Sequence, residues 1–202
     1  MSSNKTIFQL LDDKFILFDT EYTAWEGSMQ RGWSLDWEYL EIIQIGAIQV
    51  QRVEYSFIEH SSFLIEVRPV KNPQLSDYIT SLTGITQETI DQFGHSYFDA
   101  LKEFLAFSNN GELPIHSWGG DEMILEHNCQ INNLSMPDSS YRFSDIRDVF
   151  TELNHDVLNI SSCDASKKFG MDISGHDHNA LHDVRSILAA LNAIASPDMT
   201  NN

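Results

Sequence analysis

Two carboxylates one residue apart, Asp19 and Glu21, end the apolar run Phe15-Ile16-Leu17-Phe18. In a strand, side chains i and i+2 share a face, so both carboxylates point the same way. Crowded carboxylates resist joint ionisation unless a cation sits between them. Their oxygens suit a hard divalent ion such as Mg²⁺ or Mn²⁺. An Asp-x-Glu pair is weak evidence alone, and its value depends on further acids and a base. Asp121 follows Ser117-Trp118-Gly119-Gly120, where a strand end passes into a helix, and a helix cap by itself would explain it. Asp183 closes the stretch His176-Asp177-His178-Asn179-Ala180-Leu181-His182-Asp183, one residue before Val184 on an apolar stripe. A carboxylate pressed toward a core needs a cation partner, which a bound metal would supply. His178, just upstream, is an imidazole suited to accept a proton at neutral pH. The pair His176-x-His178 also suits zinc, but the sequence places no third His or Cys ligand beside it.

These residues need elements to carry them. Phe15–Glu21 reads as a buried strand, followed by a loop from Tyr22 to Tyr39 holding Trp25, Trp33 and Trp37 with Gly27 and Gly32. Glu41–Val50 reads as a long strand covered mainly on one face, its apolar positions interrupted by Gln44 and Gln49. Arg52–Ile58 and Ser62–Val67 read as a third, bent strand that Arg68-Pro69 closes. Leu75–Leu82, Gln87–Gln92 and Tyr97–Phe107 read as helices, the last with Tyr97, Leu101, Phe104 and Leu105 on one face. A strand over Leu113–Trp118, a helix over Asp121–Asn132 and a strand over Phe143–Ile146 follow. Helices over Arg147–Leu153 and Ser162–Phe169 come next, and the clearest helix is the last, Asn179–Ala195. The polar tail 196–202 is expected to fray. A meander of strands followed by alternating helices and strands gives an α/β layer architecture with a mixed sheet.

The chain has 202 residues, 42% hydrophobic and 21% charged, consistent with one domain over 1–202 and a core over about 13–195. No apolar run is long enough for a membrane span and the N-terminus has no signal peptide pattern, so a cytoplasmic protein without a membrane partner is expected. Cys129 and Cys163 lack metal-ligand spacing and read as reduced thiols, with one disulfide as the alternative. The 30 acidic residues outnumber 12 basic ones for a net charge of −18, which argues against tight non-specific binding of long duplexes. An acidic surface around a metal-neutralised site is compatible with this balance.

Asp19-x-Glu21, Asp121 and His178-x-Ala180-x-x-Asp183 together resemble the DEDDh pattern of 3′–5′ exonucleases, the DnaQ-like superfamily on the ribonuclease H-like fold. The resemblance runs from about residue 15 to 195. Leu82-Thr83-Gly84-Ile85 is similar to a segment common in that superfamily. Ser117-Trp118-Gly119 before Asp121, with Leu125 and Cys129 after it, looks closer to Eri-type RNA exonucleases than to proofreading subunits. Tyr22-Thr23-Ala24 departs from the Thr-Thr-Gly that many members carry after the first acidic pair, and the Trp-rich loop is longer than a minimal connection. Both departures fall on the nucleotide pocket rather than on the metal site.

The resemblance implies a mixed five-stranded sheet flanked by helices. It also implies two Mg²⁺ or Mn²⁺ ions held by Asp19, Glu21 and Asp183, with Asp121 reaching one directly or through water. His178 would deprotonate the water that cleaves single-stranded nucleic acid from its 3′ end, RNA favoured over DNA. Thr20, Tyr22, Thr23 and Trp118 are the expected substrate contacts, Trp118 with the alternative that it packs beneath the site. The loop tryptophans could stack bases or pin the loop to the body. Arg68, Lys71 and Arg142 are phosphate contacts or lone surface cations, and His182 supports the site or lies on the surface. Two other readings stand beside the exonuclease. One is a small-nucleotide phosphodiesterase of the same fold. The other is a catalytically silent module that binds nucleic acid or protein.

Overall fold

The computed structural model describes residues 5–136 and 141–195. The tail expected to fray, 196–202, lies outside them. A short helix α1 (Ile7–Leu10) precedes β1 (Lys14–Tyr22), and α2 (Ser28–Arg31) interrupts the Trp-rich loop. β2 (Ile42–Val53) and β3 (Ser56–Glu66) form a hairpin. Three helices follow, α3 (Asp77–Thr83), α4 (Gln87–Phe93) and α5 (Tyr97–Phe107). Each starts at a hydroxyl cap, Ser76, Thr86 or Ser96, which accepts an otherwise unpaired N–H of the first turn. β4 (Ile115–Ser117), α6 (Asp121–Ile131), β5 (Phe143–Asp145), α7 (Arg147–Glu152), α8 (Ala165–Lys168) and α9 (Ala180–Ala195) complete the chain.

The sheet runs β3-β2-β1-β4-β5, with β1, β2 and β3 antiparallel and β4 and β5 parallel to β1. This is the mixed five-stranded sheet of the ribonuclease H-like expectation. Two local expectations are corrected. β2 is buried on both faces along its first half, not mainly on one. Gln44 and Gln49 look like surface breaks in the pattern, yet Gln49 donates to the Phe107 carbonyl (2.7 Å) and Gln44 accepts from α9. The second correction is at the hairpin, where Arg52–Ile58 is not one strand: the chain reverses at Glu54-Tyr55, with Glu54 at φ 54°. Neither residue carries the Asn-Gly or Asp-Gly signal that marks such turns.

Alternation along β1 decides where the chemistry lies. Phe15 and Leu17 pack with Val184, Ile187 and Leu191 of α9, while Ile16 and Phe18 pack with Leu101 and Phe104 of α5 and Leu125 of α6. Continuing the same alternation, Asp19 and Glu21 extend the face toward α9, and Thr20 the face toward α6. Each of these fully buried apolar side chains contributes roughly 1.5–3 kcal/mol, so the strand is anchored from below its polar end.

The start of α9 reaches β1 because β2 has no side chain in the way. Gly46, the register partner of Asp19, lies so close to α9 that a Cβ there would sit 2.5 Å from the backbone of Ala180 and Leu181. Backbone cannot rotate aside as a side chain can. Gly46→Ala is expected to destabilise the protein by roughly 1–3 kcal/mol, the scale of overpacking. Chemical denaturation checks this, and an unchanged midpoint would show that α9 has room to move.

Candidate active site

The parallel pairing of β1 with β4 ends at Phe18–Ser117, so β1 runs past its neighbour. Beyond that point the Thr20 N–H and hydroxyl both donate to Oδ1 of Asp121, at 3.1 and 2.6 Å. Asp121 is the first residue of α6, after a Gly120 cap at which no side chain bonds. The capping explanation therefore gives way: the Asp121 carboxylate faces β1.

Asp183 arrives from the other face. The Gln44 side chain accepts the Ala180 N–H (3.1 Å) and Asn179 accepts the His182 N–H (3.2 Å), which fixes the first turn of α9 against β2. Carboxylate oxygens of Asp19, Glu21 and Asp183 then lie within 4.8 Å of one another, and all three residues are buried. Burial first, then repulsion from Asp121, Glu21 and Asp183, pushes Asp19 well above the usual carboxylate range. Glu21 is raised likewise by burial, Asp183 and Asp121. Burial also raises Asp183, against the lowering influence of His182 and His178. Among the described residues no lysine or arginine pairs with any of the three. Three buried acids with no lysine or arginine partner and only the His182 ring paired with Asp183 suit a hard divalent cation.

A cavity of about 340 Å³ opens over this cluster, with Asp19, Glu21, Asp121, Asp183 and His178 all on its wall. His178 adopts φ 60°, an unusual backbone for a non-glycine residue. Of the expected substrate contacts, Thr20, Tyr22 and Trp118 line the cavity. The Thr20 hydroxyl is engaged by Asp121, and the Trp118 indole donates to the Ile160 carbonyl (2.7 Å) with its ring edge-on to Phe150, so Trp118 forms the floor. Thr23 does not reach the site. Its hydroxyl donates to the Tyr39 carbonyl (2.6 Å) and accepts the Glu41 N–H (3.0 Å).

Most of the Trp-rich loop is pinned. Trp25 and Trp37 meet edge to face at 4.9 Å, and Arg31 pairs with buried Glu38. The Glu41 carboxylate accepts the N–H groups of Val70, Lys71 and Asn72. Trp33, whose indole donates to the Thr23 carbonyl, is the loop tryptophan that lines the cavity, beside Tyr22. Arg68, Lys71 and Arg142 lie elsewhere: Arg68 donates to the Asp91 carbonyl, Lys71 sits over Tyr39, and Arg142 pairs with Asp12. Sequence reasoning missed Arg147, which lines the cavity and pairs with Asp145 at 2.7 Å, and Ser162, which donates to Asp183. Arg147 had a readable signal, since it follows β5, and parallel strands direct ligands to their carboxyl ends.

Residues 16–191 match the family described as Exonuclease (RNase_T). The chain belongs to the exonuclease family. Exonuclease-family relatives include a 3′-5′ exoribonuclease 1 of Rattus norvegicus, 27% identical over 190 residues, covering 87% of this chain and 51% of that protein. The 3′-5′ exonuclease eri1 of Schizosaccharomyces pombe is 37% identical over 106 residues, 52% of this chain and 31% of that one. This chain thus spans about half the length of the rat relative, and less of the yeast one. Among solved structures, the nuclease domain of 3′hExo, a DEDDh family member bound to rAMP, superposes with TM-score 0.72 at 25% identity, covering 89% of this chain and 90% of that one. The exonuclease family depends on divalent metal ions, and the carboxylate cluster is where this member would hold them. Among the described residues no helix is long and apolar enough to cross a membrane.

Burial carries Asp121 from its ordinary 3.8 up to about 6, with the Thr20 hydrogen bonds opposing the rise. An acid raised in the fold is neutral in both states at low pH. It therefore begins to lose stability once pH passes 3.8 and goes on losing it until about 6. A saturating divalent ion should relieve this, raising the melting temperature more at about pH 7 than at about pH 4. Thermal melts with and without EDTA measure it, and a metal-induced shift that ignores pH would contradict the cluster's role.

Proposed function

We propose that this chain is a metal-dependent 3′–5′ exonuclease that acts on single-stranded nucleic acid 3′ ends, RNA in preference to DNA, and releases nucleoside 5′-monophosphates. The observation that carries the proposal is the convergence of Asp19, Glu21, Asp121, Asp183 and His178 on one cavity wall. Asp19, Glu21 and Asp183, with Asp121, would hold two Mg²⁺ or Mn²⁺ ions. Such ions, when bound, stabilise charge on the attacking and leaving oxygens of an in-line phosphodiester displacement. His178 accepts the proton of the attacking water; the water oxygen bonds to phosphorus as the 3′ oxygen of the preceding nucleotide leaves. Thr20 keeps Asp121 turned toward the cluster through its two hydrogen bonds. Tyr22 and Trp33 offer aromatic surface to the terminal base, where stacking is worth roughly 1–3 kcal/mol. The RNA preference is supported by the rat relative, named an exoribonuclease, and by the rAMP in the solved nuclease domain.

A second reading, a phosphodiesterase acting on a small nucleotide, is favoured by one observation. Among the described residues lining the cavity, Arg147 is the only lysine or arginine. Digestion of 5′-labelled single-stranded RNA and DNA, with and without EDTA, separates the two. The exonuclease gives a stepwise, EDTA-sensitive ladder shortening from the 3′ end; cleavage of a dinucleotide but nothing longer selects the small-substrate enzyme. No metal-dependent turnover on any of them defeats both and leaves the silent module.

Asp19→Ala should abolish turnover and weaken metal binding, and normal activity in that variant would remove the proposed centre. His178→Ala should slow the reaction about 10²- to 10⁴-fold, the usual range for a lost general base, while metal binding persists by calorimetry. A collapsed thermal transition instead would make His178 a structural residue.

A further inference from the structure

Among the described residues, the structure gives His178, though not His176, two further donors from elsewhere in the chain. Cys163 Sγ, a ring nitrogen of His178 and a carboxylate oxygen of Asp183 all lie within 4.8 Å of one another. We propose that Cys163, His178 and Asp183 form a second, softer metal site that takes Zn²⁺ and thereby holds the nuclease inactive. The inhibitory half of this proposal rests on His178 being the general base; the binding half does not.

The donor set decides the ion. Thiolate and imidazole favour zinc over the magnesium or manganese that an all-oxygen set selects. Zinc bonds of about 2.0–2.3 Å in a tetrahedron put donors roughly 3.3–3.8 Å apart, so closing the trio needs only a small side-chain adjustment. Three protein ligands leave the fourth position to water.

The backbone under the trio is already in place. The Ser186 hydroxyl, one helical turn beyond Asp183 on α9, donates to the Cys163 carbonyl (3.1 Å) and accepts the Ser166 N–H (2.9 Å). This seats the loop carrying Cys163 on the helix that carries Asp183. Lys167 then bonds Asp164 (3.0 Å) and Asp177 (2.8 Å), joining the Cys163 loop to the segment that presents His178. Within the trio's surroundings, Ser161 contacts Cys163 Sγ at 3.1 Å and donates to Asp164 at 3.0 Å, Ser162 donates to Asp183 at 3.4 Å, and the His182 ring lies 3.2 Å from the other Asp183 oxygen. Cys129, the other thiol, packs in the opposite hydrophobic cluster against Tyr97. It has no part in the trio, nor does a disulfide compete, since both cysteines are free.

The consequence follows from sharing. Asp183 belongs to the catalytic carboxylate cluster as well as to the trio. Zinc in the trio would occupy the base and draw one carboxylate from the cluster, while the Cys163 proton leaves to solvent.

Titration of the metal-free protein with Co²⁺, as a coloured stand-in for zinc, tests binding without any assay of turnover. The expected result is a near-ultraviolet thiolate-to-cobalt absorption band that grows to a plateau as cobalt is added. The band should vanish in Cys163→Ser, and in Cys163→Ala should the serine variant not fold. It should persist in Cys129→Ala and in Asp19→Asn. No band in the folded wild-type protein, or a band that survives loss of Cys163, overturns the site. In RNA digestion, Zn²⁺ added at a small fraction of the Mg²⁺ concentration should slow the wild-type protein. Cys163→Ser, compared with its own zinc-free rate, should need more zinc for the same slowing by at least roughly 10–100-fold, the loss that follows when only an outer partner of a ligand is removed. Equal zinc sensitivity overturns the inhibitory role. A cobalt band in a protein that digests no substrate would instead defeat the exonuclease reading and leave the zinc site standing.

Discussion

Repulsion among Asp19, Glu21 and Asp183 is the constraint around which the rest of the molecule is arranged. Two unit charges about 5 Å apart repel by roughly 3 kcal/mol at an effective dielectric of about 20, and three acids make three such pairs. That is comparable to what several fully buried apolar side chains contribute. The sheet supplies those side chains directly beneath the acids: Phe15 and Leu17 on one face of β1, Ile16 and Phe18 on the other, each packed against a helix. Gly46 admits the start of α9, Gln44 and Asn179 secure its first turn, and Thr20 turns Asp121 inward. Each device brings acids together, and none of them supplies a positive charge. A divalent cation would supply that charge and bring the raised carboxylates back down.

The same constraint would reconcile a net charge of −18 with the phosphate-bearing substrate proposed above. Arg147, the single lysine or arginine on the described cavity wall, is held by Asp145. On the proposed function, attraction for a phosphodiester would come from ions in the cluster rather than from a basic surface, and binding would be confined to the cavity. This also explains why the Trp-rich loop is built mainly as a brace. Trp25 and Trp37 hold each other, Glu41 gathers three backbone N–H groups, and of the loop tryptophans only Trp33 lines the described cavity wall.

The acidic constellation was legible in the sequence because strand alternation and an out-of-place charge are local signals. Asp19 and Glu21 follow an apolar run, and Asp183 interrupts an apolar stripe. The helices were legible for similar reasons, since Ser76, Thr86 and Ser96 mark their starts. What the chain hid were contacts between distant segments. Thr23 reads as a pocket residue by its place beside the acids, yet its hydroxyl is engaged within the loop. Gln44 and Gln49 read as breaks in a strand, yet both are cross-element hydrogen bonders in a sheet covered on two faces. The Glu54-Tyr55 reversal carries no turn signature. Cys163 has no ligand spacing to His178 or Asp183, and only the seating of its loop on Ser186 brings the thiol to them.

The most direct measurement is anomalous diffraction from crystals of the protein soaked in Mn²⁺. Manganese bound among the carboxylates of Asp19, Glu21 and Asp183 is the expected result, and Asp19→Asn crystals should lose or weaken that peak. Manganese absent from the cluster at saturating concentration, or bound only elsewhere on the acidic surface, would contradict a nuclease built around these three acids.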